Sequence, residues 1–175
     1  MNLSPAVEKY VLHWGEMGTR WGTNRTVAQI QALLYLSPRP LRADEIVDLL
    51  SVARSNVSTS IRELQSYGLV KMTHMLGDRR DYFESLSDVW ELFRVIIEQR
   101  KQRELNPTLS MLRNCAAEVA EEKETDDITK ERIRNMLRFV ETTSAWYEQI
   151  QEIPTPVLQK IMKLGAKITS IVDKK

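Results

Sequence analysis

The chain is short of nearly every residue that marks a catalytic or metal-binding protein. It has one cysteine, Cys115, among 175 residues, so no intrachain disulfide can form. Two histidines, His13 and His74, lie far apart, which argues against a Cys/His zinc site. Six glycines and six prolines exclude collagen-like and proline-rich fibres. The longest apolar runs, such as Ala32–Leu36, fall far below the ~20 residues that cross a bilayer. The first residues lack a basic segment followed by an apolar one, so no signal peptide and a reducing cytosol are expected. No nucleophile elbow, Walker loop, His-Glu-x-x-His or Gly-x-Gly-x-x-Gly occurs, and no enzyme, cofactor or metal is expected.

Charge of either sign is also not in excess. Lys plus Arg number 25 and Asp plus Glu 24. Residues 1–85 carry 10 basic and 9 acidic side chains, and the remainder 15 of each. Any basic footprint must therefore come from placement within a motif.

What is present is helical periodicity. Ser4-Pro5 is a good helix start, and Val7, Tyr10, Val11, Trp14, Met17, Gly18 and Trp21 recur on one face. A second helix is expected from Thr26 to Leu36, with Val27, Ile30, Leu33 and Leu34 inward. A turn, Ser37–Pro40, precedes a short helix, Ala43–Leu50. The break Ser51-Val52-Ala53 leads to a helix from Arg54 to Tyr67, and Gly68 stands where a left-handed cap is wanted. The period then changes to two. Leu69–Met75 and Tyr82–Glu84 read as strands around a charged turn.

After Ser87 the pattern is helical to the end. Val89, Trp90, Phe93, Ile96 and Ile97 form one face. Asn106-Pro107 opens a helix with Leu109, Leu112 and Ala116, where Cys115 reads as a buried structural thiol. Seven acidic residues mark 118–131 as an exposed helix end or loop. Ile133, Met136, Leu137, Val140, Ser144, Tyr147 and Ile150 form a heptad-like seam, and Leu158, Ile161, Leu164, Ile168 and Ile171 line a last helix.

Helix, turn, helix and a two-stranded hairpin with a basic tip make a winged helix-turn-helix, which places its second helix in the major groove of DNA. At about 100° per residue, Val57, Ile61 and Leu64 fall within one narrow arc, the core face. The opposite arc holds Ser55, Thr59, Arg62 and Ser66, flanked by Ser58. Small hydroxyl residues let the backbone approach base edges, and Arg62 can reach phosphate or pair with guanine. Recognition is assigned to Arg54, Ser55, Asn56, Ser58, Thr59 and Arg62, with Arg79 and Arg80 of the wing on phosphate or in the minor groove. The fold class is mainly α: N-terminal helices over 1–36, the winged helix over 37–86 with a small two-stranded wing, and a helical dimerisation region over 87–175. The competing class is a winged-helix protein-interaction module that never meets DNA; it would expose apolar residues on the outer face of the 54–66 helix.

Ala53–Ser58, Ile61–Leu64, Tyr67–Val70, Gly77–Phe83, Asp88–Trp90 and Arg100-Lys101-x-Arg103-Glu104 resemble the GbsR-like branch of MarR-type bacterial transcriptional regulators, over roughly residues 10–115. The resemblance implies a homodimeric repressor on a palindromic operator, tuned by a small effector; some members of that branch respond to choline. Tyr10, Trp14, Trp21, Trp90, Trp146 and Tyr147, joined by Phe93, then admit two readings: core packing, or an aromatic cage for a quaternary ammonium ligand. One departure stands out. The family has a hydroxyl cap before the recognition helix where this chain has Ala53, which leaves Ser55 as a substitute cap one turn later.

Overall fold

The computed structural model describes residues 3–165. Its order is α1 (Pro5–Arg20), α2 (Arg25–Leu36), β1 (Leu41–Arg42), α3 (Ala43–Leu50), α4 (Arg54–Ser66), β2 (Val70–Thr73), β3 (Tyr82–Ser85), α5 (Val89–Arg100), a π-helical stretch (Lys101–Leu105), α6 (Asn106–Glu121), α7 (Asp127–Glu152) and α8 (Thr155–Leu164). Residues group into two compact units, one ending at Ile96 and one starting at Ile97.

In the first unit, the local starts follow the sequence. The Ser4 hydroxyl accepts from the Val7 N–H, and Pro5 opens α1. The Asn24 side chain accepts from Thr26 N at 2.8 Å and sets the start of α2. Val11, Val27, Ile30, Leu33, Leu34, Ile46, Val57, Ile61 and Leu64 share one core with Leu41, Val70 and Phe83. α1 approaches α2 closely through two glycines. A Cβ on Gly18 would lie 2.4 Å from the Ala28 Cβ, and one on Gly15 would lie 2.6 Å from the Gln29 Cγ. The tryptophans expected on that face sit at its rim instead: Trp14 and Trp21 are 37% and 50% exposed.

The sheet has a third strand. β1 pairs with β3, antiparallel, placing Leu41 opposite Phe83 and Arg42 opposite Tyr82. β2 pairs with the other edge of β3, with Lys71 opposite Glu84 and Thr73 opposite Tyr82. β3 is thus central, which explains why the adjacent Tyr82 and Phe83 are both buried. β2 stops at Thr73, short of the expected Met75.

α5 turns inward a face that overlaps the expected one only in part, at Ile96. Leu92, Val95 and Ile96 pack on the core, while Val89 and Phe93 are exposed. In the second unit, α6 packs on α7. Leu112, Val140 and Ser144 are buried there, and Ile133, Leu137, Tyr147 and Ile150 are half-buried as the seam requires. Met136, expected in that seam, is exposed. The helices after Ser87 break over 122–126, inside the acidic run read as a helix end or loop, and again at Ile153-Pro154, just before the last helix. Asp126 caps α7 by accepting from Thr129 N at 2.9 Å. Cys115 is half-buried rather than buried, its Sγ 3.6 Å from Met111 Sδ. Ile168 and Ile171 lie outside the described residues.

Candidate nucleic-acid interface

Two elements of the first unit carry the residues singled out for DNA, and both owe their shape to nearby backbone constraints. Ser51 takes φ 51, a left-handed conformation uncommon outside glycine, and so turns the chain sharply between α3 and α4. Ala53 caps α4 with its carbonyl alone, which accepts from Asn56 N at 2.9 Å and Val57 N at 3.1 Å. Ser55 lies inside the helix, exposed, and is not the substitute cap; its hydroxyl stays available. At the other end Gly68 takes φ 74, the left-handed cap expected of it.

The two faces of α4 are cleanly separated. Val57, Ile61 and Leu64 are buried, joined by Ser60, which lies outside the arc expected to face the core. Arg54, Ser55, Asn56, Ser58, Thr59 and Arg62 are all exposed. Arg62 Nε donates to the Ser58 carbonyl at 3.4 Å, which lays the guanidinium along the outer surface of the helix. Glu63, the one acid on α4, accepts from the Tyr67 hydroxyl at 3.0 Å.

The wing is less uniform. Arg80 Nε donates to both carboxylate oxygens of Asp78, at 2.8 and 2.9 Å, and a further guanidinium nitrogen meets the same group. The Tyr82 hydroxyl donates to Asp78 at 2.7 Å. The guanidinium holds the Asp78 carboxyl well below its ordinary range, and the carboxylate raises Arg80 in return. Arg79 is exposed and, among the described residues, enters no ion pair. The two wing arginines, equivalent in sequence, are therefore electrostatically unequal.

A clamp outside the motifs read from the sequence fixes the wing's base. Glu45, in the first turn of α3, accepts from Arg39, from the Arg42 backbone at 3.0 Å and from Arg42 Nε at 3.2 Å. These donors, Arg39 foremost, hold its carboxyl down to about 2. Arg42 also meets Asp44 at 3.4 Å and lies opposite Tyr82 across β1 and β3. The clue was Arg39-x-x-Arg42-x-x-Glu45, whose Glu sits third in a helix, where a carboxylate reaches back to the preceding backbone N–H.

The aromatic residues fall into separate sets. Tyr10, Trp14 and Trp21 form a ladder along α1, with ring centroids 5.8 and 6.0 Å apart. Trp90 is half-buried on α5. In the second unit Trp146 is 61% exposed, and the Tyr147 ring already faces a cation of the chain itself. Lys101 Nζ lies 5.5 Å from that ring's centroid and 2.6 Å from Glu148. Among the described residues no cluster of His, Cys, Asp or Glu suits a metal ion, and no helix is long and apolar enough to cross a membrane.

Comparison with known proteins agrees with this geometry. No protein-family model matches the chain. It is similar to the HTH-type transcriptional repressor GbsR of Bacillus subtilis (strain 168), with 20% identity over 140 residues that cover 78% of this chain and 77% of that protein. A crystal structure of a transcriptional regulator superposes with a TM-score of 0.64 at 17% identity, covering 83% of this chain and 95% of the other. Motifs, relative and fold converge, and the resemblance drawn from the motifs is borne out: the chain is similar in sequence to the GbsR repressor and in fold to a solved transcriptional regulator.

Proposed function

We propose that the chain is a sequence-specific DNA-binding transcriptional regulator, a homodimeric repressor that reads a palindromic operator with α4 and steadies it with the wing. The observation that carries this is the outer face of α4. Seven polar residues stand exposed there, two of them arginines, with no apolar side chain among them. A protein-interaction module would need apolar residues in that place, so this face speaks for a groove.

The roles divide by chemistry. Arg62 and the hydroxyls of Ser55, Ser58 and Thr59, with Asn56, reach base edges. Arg54, Arg79 and Arg80 meet phosphate or the minor groove, positioning rather than reading. Arg62→Ala is expected to cost roughly 1–3 kcal/mol per half-site and to relax preference at one base position. Arg132→Ala on α7, exposed and remote in sequence, serves as the control and leaves binding unchanged. Fluorescence anisotropy on operator and scrambled duplexes at several salt concentrations decides the matter. Intact operator affinity in the Arg62 variant would hand the function to the protein-interaction class.

The effector belongs to the same proposal. A choline-like cation suits the ring ladder at α1, the exposed Trp14 and Trp21 with the half-buried Tyr10, with Trp90, Trp146 and Tyr147 as further candidates. Trp14→Ala is expected to weaken the effector response by roughly 0.5–2 kcal/mol while DNA binding persists. Tryptophan emission that stays constant under saturating choline would remove the cage.

A further inference from the structure

The wing ends in a side chain that its own fold leaves wholly in solvent. The Asp78 N–H donates to the Met75 carbonyl at 3.0 Å and closes a four-residue turn. Gly77 holds φ 81 at the third position, where a positive φ calls for glycine. Leu76 therefore occupies the apex, and its exposure reaches 108%. A leucine left there forgoes the gain that burial of an apolar side chain brings. Met75 beside it and Met72 on β2 are exposed as well.

A single exposed leucine needs no explanation; this one stands at the end of a hairpin whose stem is fixed. Asp78 ties Arg80 and Tyr82 together immediately behind it. The next unpaired cation is Arg79, three residues on, and Lys71 lies along the same hairpin. An apolar point backed by a cation suits the minor groove of DNA. Leucine and methionine are among the side chains that enter that groove between base steps, unstack them and kink the duplex. The groove's negative potential draws the adjacent arginine.

We propose that Leu76 is a minor-groove wedge, inserted between two base pairs while Arg79 lies beside it in the groove. The proposal rests on the DNA-binding function above. It adds a source of specificity at positions α4 never touches. Pyrimidine–purine steps such as TA and CA unstack most easily, so the wedge selects them by deformability, not by hydrogen bonds.

The test uses the full-length protein and duplexes of about 30 base pairs, long enough for two half-sites one helical turn apart, selected by the wild type from a randomised pool. A 2-aminopurine is placed at each candidate step, and bending is read by energy transfer between the duplex ends. The wild type is expected to bend its duplex by about 20° or more and to brighten one 2-aminopurine per half-site. Leu76→Ala is expected to bind with a shallower bend, no brightening and no preference for a TA or CA step; Leu76→Met restores all three. A Leu76→Ala protein that still binds with unchanged bend and emission overturns the wedge and leaves DNA reading intact. A pool from which the wild type selects no duplex overturns both. If Leu76→Ala changes only the mass in light scattering, the tip is a contact between protein copies and the wedge is likewise overturned. Because Leu76 makes no core contact, the variants do not threaten folding.

Discussion

The two compact units solve the problem of apolar surface in opposite ways. The first closes its own core: Ile30, Ile46, Val57 and Leu64 are essentially sealed from solvent, around them a shell from α1, α2, α3 and the sheet. Among the described residues, the second buries only Leu112 and Val140 of its apolar side chains, yet exposes Met111, Ile128, Met136, Phe139, Trp146, Val157, Met162 and Leu164. On α7 the exposed Ile128, Met136, Phe139 and Trp146 fall within about 80° of one another at 100° per residue, a stripe beside the one that faces α6. A helix with two apolar stripes has one partner in its own chain and room for another. The first unit closes a core of its own; the second leaves open a stripe on α7, the face we propose for the second copy of the homodimer.

The largest expected effect tests that contrast directly. Phe139→Asp combined with Trp146→Asp puts two carboxylates into the stripe, where burial against a second copy would strip their hydration. Light scattering at micromolar concentration is expected to fall from twice the 20.3 kDa chain mass to the monomer. Operator affinity is expected to drop by about 100-fold or more, because one reading helix then engages one half-site. A wild type already monomeric at that concentration would erase the contrast between the units.

Changes at the wing sharpen it from the other side, since they alter DNA binding without touching assembly. Arg79 is free to meet a phosphate, whereas Arg80 must first leave Asp78. Arg79→Ala is expected to lower the slope of log affinity against log salt by roughly 0.9 in each subunit, the value for one phosphate no longer neutralised, with Arg80→Ala changing it less. Equal slopes in the two variants would show that the Asp78 pair dissolves on DNA.

The smallest effect concerns acid. Glu45 titrates near 2 in the folded chain, below its ordinary value of 4.5. A carboxylate lowered by folding stabilises the fold fully above its unfolded pKa, and that contribution fades as pH falls through the folded one. The difference in unfolding midpoint between wild type and Glu45→Gln is therefore expected to be constant above about pH 5 and to shrink between 4.5 and 2. The monomer–dimer balance is expected to stay as it is, because the clamp lies within the first unit. A difference that is flat over that window would mean that folding does not lower the Glu45 carboxyl and that the clamp does not hold in solution.

How much of this was legible in the residues varies by element, for physical reasons. The two faces of α4 could be read because a buried stripe and a polar stripe on one helix leave a 3.6-residue signature. β1 could not: two residues have no period, and Leu41-Arg42 is a strand only because β3 offers an edge to pair with. α5 misled because Val89 and Phe93 are as apolar as Leu92 and Val95, and sequence does not say which stripe the core will claim. Trp14 and Trp21 were placed inward by period alone, yet the small Gly15 and Gly18 take the closest approach and leave the large rings at the rim. At the wing, the arginines were identified by motif, but their inequality depends on where the Asp78 carboxylate turns.

Those two glycines also set the mechanical character of the first unit. Where long side chains separate two helices, each can roll on the other as rotamers change. Between α1 and α2 the Gly18 backbone meets the short Ala28 side chain, which has nothing to yield, while Gly15 meets the side chain of Gln29. α1 therefore sits on α2 like a shaft keyed to its body at Gly18, where the close approach leaves no room for a side chain. An alanine at position 18 would be a wedge driven into the keyway, prising shaft from body.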